Sequence, residues 1–373
     1  MRFDTKLVHA GQQADTVTGD VVPPIHVAVS YDRRAQQPPR YFYGRSENPG
    51  REALESCLAS LEDARYATVF ASGQAAGAAA LSLLSPGQRI VCGDDVYGGT
   101  RALLDIAARY GIGVRHADLT EPAGLRALDA PELGMVWIET PTNPMLKVVD
   151  VGEVRRLTRD RGVVVVVDNT FASQVLQQPL RLGADISLYS TTKFVAGHSD
   201  VLGGALVYED GDTRRRLLEH RTATGAVPGA LDCFLVHRGL RTLSLRMARQ
   251  VQSTDAVVEL LRASSRVAAV HYPGLPEHPQ YPVAKTQMAA PGAIVSFEYR
   301  GDPARVLDRV RLFASAVSLG GVRSLIECPA LMTHRSVPAS VRAALGITDS
   351  LIRVSVGIED PRDLLEDLAA ALA

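Results

Sequence analysis

Short apolar runs alternate with stretches of helical spacing from about residue 50 to residue 207. The first helical stretch, 50–61, puts Ala53, Leu54, Cys57, Leu58 and Leu61 on one face. Strands are predicted at 66–70, 89–92, 113–116, 135–139, 163–167 and 185–190. Helices are predicted from Ser72 to about Leu84, after Gly99 to about Tyr110, and over 151–161, while 204–207 reads as an antiparallel return. The run 163–167 is apolar at every position, as in a strand with helices on both sheet faces. Strand–helix units joined by short loops predict an α/β fold with a doubly wound, mostly parallel sheet. The pattern changes near Val236. An arginine-rich amphipathic helix over 238–262 precedes strands at 267–272, 293–299 and 351–356, with a terminal helix at 361–372. This predicts a smaller C-terminal α+β domain. Residues 1–48 lack sustained periodicity and are rich in Pro, Gln and Gly, with Pro23-Pro24 and Pro38-Pro39. They read as an arm that wraps the body of the chain or a neighbouring subunit. The predicted division is an arm over 1–48, a larger domain over 49–235 and a smaller one over 236–373.

The charge balance narrows the partners. With 40 basic and 41 acidic residues among 373, there is no electrostatic case for nucleic acid or an anionic membrane. The longest aliphatic run falls far short of the roughly 20 residues that span a bilayer. The N-terminus, Met-Arg-Phe-Asp-Thr-Lys, is charged and has no apolar core of a signal peptide. Cys57, Cys92, Cys233 and Cys328 are widely spaced, forming no CxxC pair and no metal-ligand set, which fits a reducing compartment. The chain reads as a soluble cytoplasmic protein acting on a small molecule.

Lysine is scarce: four of the 40 basic residues are Lys6, Lys147, Lys193 and Lys285. Where a charge suffices, the chain uses arginine. Lys193 follows a predicted strand and the hydroxyls of Ser190, Thr191 and Thr192. A job closed to guanidinium is Schiff-base formation, which needs a primary amine of adjustable pKa. A solvated lysine at a strand end is the plain alternative.

Other polar clusters also fall at predicted strand ends, where open α/β sheets bind ligands. Ser72-Gly73-Gln74 opens a helix whose free N–H groups suit a phosphate, although it also reads as an ordinary N-cap. The apolar run 163–167 ends in Asp168-Asn169-Thr170, and Lys193 follows Asp168 by 25 residues, one strand–helix–strand repeat. A carboxylate for a pyridine nitrogen beside a lysine for an aldehyde is the protein side expected of a pyridoxal 5'-phosphate (PLP) site. Gly73, Gln74, Ser190 and Thr192 then supply phosphate donors. Tyr97 starts another such loop, placed either to stack on the ring or to fill the core.

The motifs Tyr43-Gly-Arg45-Ser-Glu-Asn48-Pro49, Ala71-Ser-Gly-Gln, Tyr97-Gly-Gly-Thr100, Glu139-Thr-Pro-Thr-Asn143-Pro144, Val167-Asp-Asn-Thr-Phe-Ala172, Ser190-Thr-Thr-Lys193, Gly197-His-Ser-Asp200, Ser318-Leu-Gly-Gly321 and Leu351-Ile-Arg353-Val-Ser-Val-Gly357 occur in this order. With them the sequence closely resembles the cystathionine γ-lyase, cystathionine γ-synthase and methionine γ-lyase family, the trans-sulfuration branch of fold-type I PLP enzymes. The resemblance implies that Lys193 carries the cofactor and moves protons, that Asp168 pairs with its ring nitrogen, and that Tyr97 stacks on the ring. It implies cofactor contacts from Gly73, Gln74, Thr170, Ser190 and Thr192. Tyr43 and Arg45 would reach the phosphate of an adjacent subunit, within a homotetramer built as a dimer of dimers with shared active sites. Asn143, Ser318 and Arg353 would line the substrate, with Arg353 on its α-carboxylate, as bidentate contact favours. The implied reaction is γ-elimination on a sulfur amino acid, giving 2-oxobutanoate, ammonia and a thiol. The alternatives are methionine γ-lyase chemistry and γ-replacement from an O-acyl homoserine and cysteine. An aminotransferase and a non-catalytic PLP-fold subunit fit the motifs less well. The chain departs from the family pattern at Val317, where cystathionine-handling members carry Glu, at Gly99, where methionine γ-lyases carry Cys, and at Ala102, whose family arginine is displaced to Arg101. Val317 and Arg101 are therefore the expected specificity residues.

Overall fold

The computed structural model of the protein describes residues 1–14, 18–33, 40–335 and 337–373. Its larger sheet contains β1 (Tyr66–Phe70), β2 (Arg89–Gly93), β3 (Gly113–Ala117), β4 (Leu133–Glu139), β5 (Val164–Asp168), β6 (Ile186–Tyr189) and β7 (Gly204–Tyr208). The spatial order is β1-β7-β6-β5-β4-β2-β3. Every pairing from β6 across to β3 is parallel, and β7 runs antiparallel to both its neighbours, the predicted return.

Alternate positions along these strands feed two different cores. Ile90, Cys92, Met135, Trp137, Val166 and Ile186 pack into one buried cluster. Val91, Val136, Ile138, Val165 and Val167 pack into another. That separation is the period of two of a pleated strand, and burial of both faces explains the continuous apolar runs. Helix Gly73–Leu81 lies in the first cluster and helix Val151–Thr158 in the second.

The smaller sheet holds β8 (Val267–His271), β9 (Ile294–Tyr299), β10 (Ala314–Ser315), β11 (Leu325–Glu327) and β12 (Leu351–Ser355), in the order β10-β11-β12-β9-β8. Its core joins Phe297, Ile352 and Val354 to Val257 and Leu261 of one helix and Leu364 and Leu368 of the terminal helix Pro361–Leu372. The short strands β10 and β11 leave no periodic trace in the sequence.

Two expectations need correction. The helix predicted over 238–262 is two helices, Ala230–Leu240 and Leu243–Ala263. At the break, Arg246 donates from Nη2 to the Gly239 carbonyl (2.9 Å) and from Nε to Thr242 Oγ1 (3.1 Å). The guanidinium thus satisfies a carbonyl freed where the first helix ends. The arm is also not wholly irregular. Phe3–His9 forms a helix whose Leu7 packs with Leu54 and Leu58 of helix Pro49–Leu61. Pro23-Pro24 lies in irregular backbone, while Pro38-Pro39 lies outside the described residues.

Glu62, just past helix Pro49–Leu61, is buried against β6 and accepts hydrogen bonds from Ser187 Oγ (2.7 Å) and Tyr189 Oη (2.6 Å). Burial raises its pKa from 4.5 to about 7 despite those bonds. The folded state therefore binds this proton more tightly than the unfolded chain, and stability falls as pH rises through that window. Glu62→Gln is expected to remove this loss, on the order of 3 kcal/mol by neutral pH. Chemical denaturation of both proteins at several pH values would show the gap widening upward, and a constant gap would refute the assignment.

Candidate active site

The carboxyl ends of β1, β2, β4, β5 and β6 open on one side of the larger sheet, and the segments around Ser318 and Arg353 face them from the smaller sheet. Between them lies a cavity of about 260 Å³. Its lining includes Gly73, Gln74, Tyr97, Asn143, Asp168, Thr170, Ser190, Thr192, Lys193, Val317, Ser318 and Arg353. Three predicted residues are not among them. Tyr43 and Arg45 lie elsewhere on the chain, where the Arg45 guanidinium sits 5.5 Å from the Tyr43 ring centre and donates to the Thr222 carbonyl. Arg101 is also outside the lining. It follows Thr100, which does line the cavity, and a helix turns the next residue by about 100°. Its guanidinium donates instead to the Asp94 carbonyl.

Each side chain in the cavity is placed by its neighbours. Ser72 caps helix Gly73–Leu81, its Oγ accepting from Ala75 N–H (3.1 Å). The first internal helical bond runs from Ala76 N–H to the Ser72 carbonyl, which leaves the Gly73 and Gln74 N–H groups at the cavity without helical partners. Thr170 links two strand ends, since its N–H donates to Asp168 Oδ1 (3.1 Å) and its Oγ1 accepts from Ser190 N–H (2.9 Å). Lys193 Nζ donates to Ser318 Oγ at 2.5 Å. Burial first, then the nearby Arg353 charge, lowers the lysine pKa to about 8. Arg246 donates to the carbonyls of Phe194 (2.7 Å) and Val195 (3.2 Å), which fixes the turn carrying Lys193.

The smaller sheet contributes a buried cation. Arg353, only 2 % exposed, pairs with Glu327 across β11 and β12 at 3.0 Å. Its Nη1 donates to Asn143 Oδ1 (2.7 Å) and its Nη2 to the Ser318 carbonyl (2.9 Å). Ser318 has φ +93°, a conformation that costs a non-glycine residue about 1–3 kcal/mol and persists where its surroundings enforce it. Two residues on, Gly320 lies so close that a Cβ would stand 2.6 Å from Phe194 N, so glycine lets this segment lie on the Lys193 turn.

Several site residues carried no sequence signal. Glu327 acquires its meaning only through the long-range register with Arg353. Thr333 and Leu202 line the cavity from irregular segments. Glu139 was legible, because like Asp168 it is an acid ending an apolar strand and sits directly across from it. Its Oε2 accepts the Tyr97 N–H (2.9 Å). Burial, and then the Asp168 charge, push the Glu139 carboxyl well above the ordinary range.

These residues fit PLP. Asp168 faces the cavity with its pKa raised by burial, and among the described residues its bonds come from Thr170 alone, so a cationic ring nitrogen would supply the missing counter-charge. Lys193 offers an amine whose lowered pKa favours the free base. The free N–H groups of Gly73 and Gln74, with Ser190 and Thr192, form an anion cradle. A Cβ on Gly73 would lie 3.0 Å from Ser190 Cβ and 3.1 Å from its Oγ, which would crowd that cradle. Gly73→Ala is therefore expected to weaken PLP binding about tenfold with little change in melting temperature. Equilibrium dialysis of the apoprotein would measure it, and unchanged affinity would remove Gly73 from the cradle.

Comparison with known proteins agrees with this geometry. The family model described as Cys/Met metabolism PLP-dependent enzyme matches residues 4–373. A cystathionine gamma-lyase of Dictyostelium discoideum is 45 % identical, with 100 % of this chain and 97 % of that protein covered. The structure of a cystathionine gamma-lyase, CalE6 from Micromonospora echinospora, superposes with a TM-score of 0.98 at 66 % identity, covering 100 % of this chain and 99 % of that one. A structure of apo CalE6, described as a methionine gamma lyase, gives 0.95 at 65 % identity over the same shares. Match over nearly the whole length, together with the fold and the lysine–aspartate cavity, makes this a fold-type I PLP enzyme that belongs to the Cys/Met metabolism PLP-dependent family.

Proposed function

We propose that the protein is a carbon–sulfur lyase that removes the γ-substituent of a sulfur amino acid, foremost cystathionine, and with water yields 2-oxobutanoate, ammonia and a thiol. The observation that carries the reading is the meeting, in one cavity, of a depressed-pKa lysine, a half-buried aspartate and a buried arginine. Gly73, Gln74, Ser190 and Thr192 would hold the PLP phosphate, Asp168 the ring nitrogen proton, and Tyr97 the ring face. Bound there, PLP supplies an aldehyde for the substrate amine and an electron sink that acidifies the Cα–H bond. Arg353 and Asn143 hold the α-carboxylate, and this fixes which face of Cα meets Lys193. Lys193 Nζ takes the Cα proton as the free base, and Ser318 Oγ orients that amine. A second deprotonation, at Cβ, supplies the electron pair that expels the γ-substituent, and Lys193 Nζ or the Tyr97 hydroxyl delivers a proton to the departing sulfur.

The cavity mouth favours a second substrate. Val317 and Leu202 line it and are 56 % and 67 % exposed, so the distal wall offers apolar surface where a second amino-acid head group would need charge. A methyl thioether such as methionine suits that wall, and one of the similar structures is of a methionine gamma lyase.

Within the same reading the enzyme is a cytoplasmic homotetramer, a dimer of dimers, in which Tyr43 and Arg45 serve the neighbouring subunit's phosphate. Their position away from the cavity of their own chain supports this, as does the exposure of Val21, Val27 and Val29 on the arm. Four unpaired, buried cysteines suit a reducing compartment. A separate hydrophobic core around the smaller sheet supports a distinct C-terminal unit, but a cut at 235/236 would fall inside helix Ala230–Leu240, whose Val236 and Leu240 pack with the larger domain.

The deciding assay measures 2-oxobutanoate from cystathionine, homocysteine and methionine, beside cystathionine formation from O-acyl homoserine plus cysteine. Release of 2-oxobutanoate from a sulfur amino acid is expected, and synthesis alone would reassign the enzyme to γ-replacement. Val317→Glu is expected to raise kcat/KM for cystathionine relative to methionine by about tenfold, from charge complementarity to the distal head group. An unchanged ratio would show that the distal wall does not select the substrate.

A further inference from the structure

A chain of polar contacts behind the cavity closes on itself. Arg353 Nη1 donates to Asn143 Oδ1 (2.7 Å), and Arg353 Nη2 pairs with Glu327 Oε1 (3.0 Å). Thr333 Oγ1 donates to the same Glu327 oxygen (2.7 Å) and lies 3.1 Å from His334 Nδ1. His334 Nε2 completes the circuit at 3.1 Å from the Asn143 carbonyl. Asn143 is therefore held twice, by its side chain to Arg353 and by its backbone to His334. The circuit joins the loop after β4 in the larger sheet to β11 and β12 in the smaller one.

We propose that His334 is a positioning residue for substrate capture, fixing Asn143 and through it the Arg353 guanidinium in the pose that accepts the α-carboxylate. His334 is 1 % exposed and is not among the residues lining the cavity, so its effect passes through Asn143 rather than through contact with substrate. The Asn143 carbonyl can only accept, which requires the His334 proton on Nε2. Burial and then the Arg353 charge lower the His334 pKa to about 4, so the ring is neutral at working pH and adds no second cation beside Arg353. Thr333 has one hydroxyl proton for two acceptors, Glu327 and His334, and the shorter contact places it on Glu327. Without His334 the Asn143 backbone loses its hold on the segment after β11, leaving the loop tied to the smaller sheet by Ser296 Oγ on the Pro144 carbonyl (2.7 Å) and by Arg353 on the Asn143 side chain, while the contacts of Lys193, Asp168 and the Gly73 cradle are untouched.

The inference rests on the reading of Arg353 and Asn143 as the carboxylate site, and the test separates the two. The holoenzyme is titrated with L-alanine, which has no γ-substituent to expel, and with L-alaninamide, which lacks the carboxylate charge, following the change in cofactor absorbance. His334→Leu is expected to raise the Kd for L-alanine about tenfold, to alter that for L-alaninamide less than about twofold, and to retain the cofactor band. His334→Gln, whose amide N–H can reach the Asn143 carbonyl, is expected to recover most of the affinity. Should His334→Leu lose the cofactor band, Thr333→Val interrupts the same circuit at constant volume and carries the comparison. Arg353→Ala tests the underlying reading, because an unchanged L-alanine Kd in that variant would overturn the carboxylate site itself. If Arg353→Ala weakens L-alanine but His334→Leu does not, or weakens both ligands equally, the positioning role of His334 is wrong.

Discussion

A single buried guanidinium holds the reactive centre to the rest of the molecule. Among the described residues Arg246 has no carboxylate partner of its own. It is solvated by the carbonyls of Phe194, Val195 and Gly239 and by Thr242 Oγ1. Burial of that charge lowers its pKa to about 10, still well above neutrality, and each of its three nitrogens donates to an oxygen. In return the turn after Lys193 is pinned from beneath, the helix break after Leu240 is satisfied, and the helix leading into the smaller domain is fixed to the same point. Lys193 can then have few permanent bonds of its own, as an amine that must change partners requires.

The two halves of the site divide the work differently. Strand ends of the larger sheet supply the lysine, the aspartate and the anion cradle, on backbone whose neighbours are close-packed. The smaller sheet supplies a cation that is desolvated and already paired. A buried ion pair adds little net stability, but it does set direction: Glu327 and Asn143 hold the Arg353 fork in one plane. The strained Ser318 lies where the two halves meet, bonded to Lys193 through Oγ and to Arg353 through its carbonyl.

Most of this was legible along the chain wherever a local pattern determined the outcome. The apolar run ending in Asp168 had to be a central strand, and the hydroxyl cluster before Lys193 followed a strand by the same logic. The illegible parts depend on contacts distant in sequence. The helix break after Leu240 is settled by carbonyls at 194 and 195, nearly 50 residues earlier. Glu327 sits in a three-residue strand, too short for any periodicity, and only its register with Arg353 gives it a role. Arg101 lies outside the cavity lining through helical phase, since one step along the helix separates the cavity side at Thr100 from the Arg101 guanidinium on the Asp94 carbonyl. The helix at Phe3–His9 buries Leu7 alone, and one apolar position cannot announce a face.

The scarcity of lysine has a chemical consequence of its own. An aldehyde cofactor condenses with any accessible free amine, so each surface lysine is a competing sink. Here Lys6 is paired with Asp63, Lys147 with Asp94 and Asp118, and Lys285 lies over the Tyr281 ring. Arginine carries nearly all of the remaining positive charge and forms no such adduct under ordinary conditions. The composition therefore leaves Lys193 with little competition as an acceptor, which makes loading of the holoenzyme selective by amine availability as well as by fit.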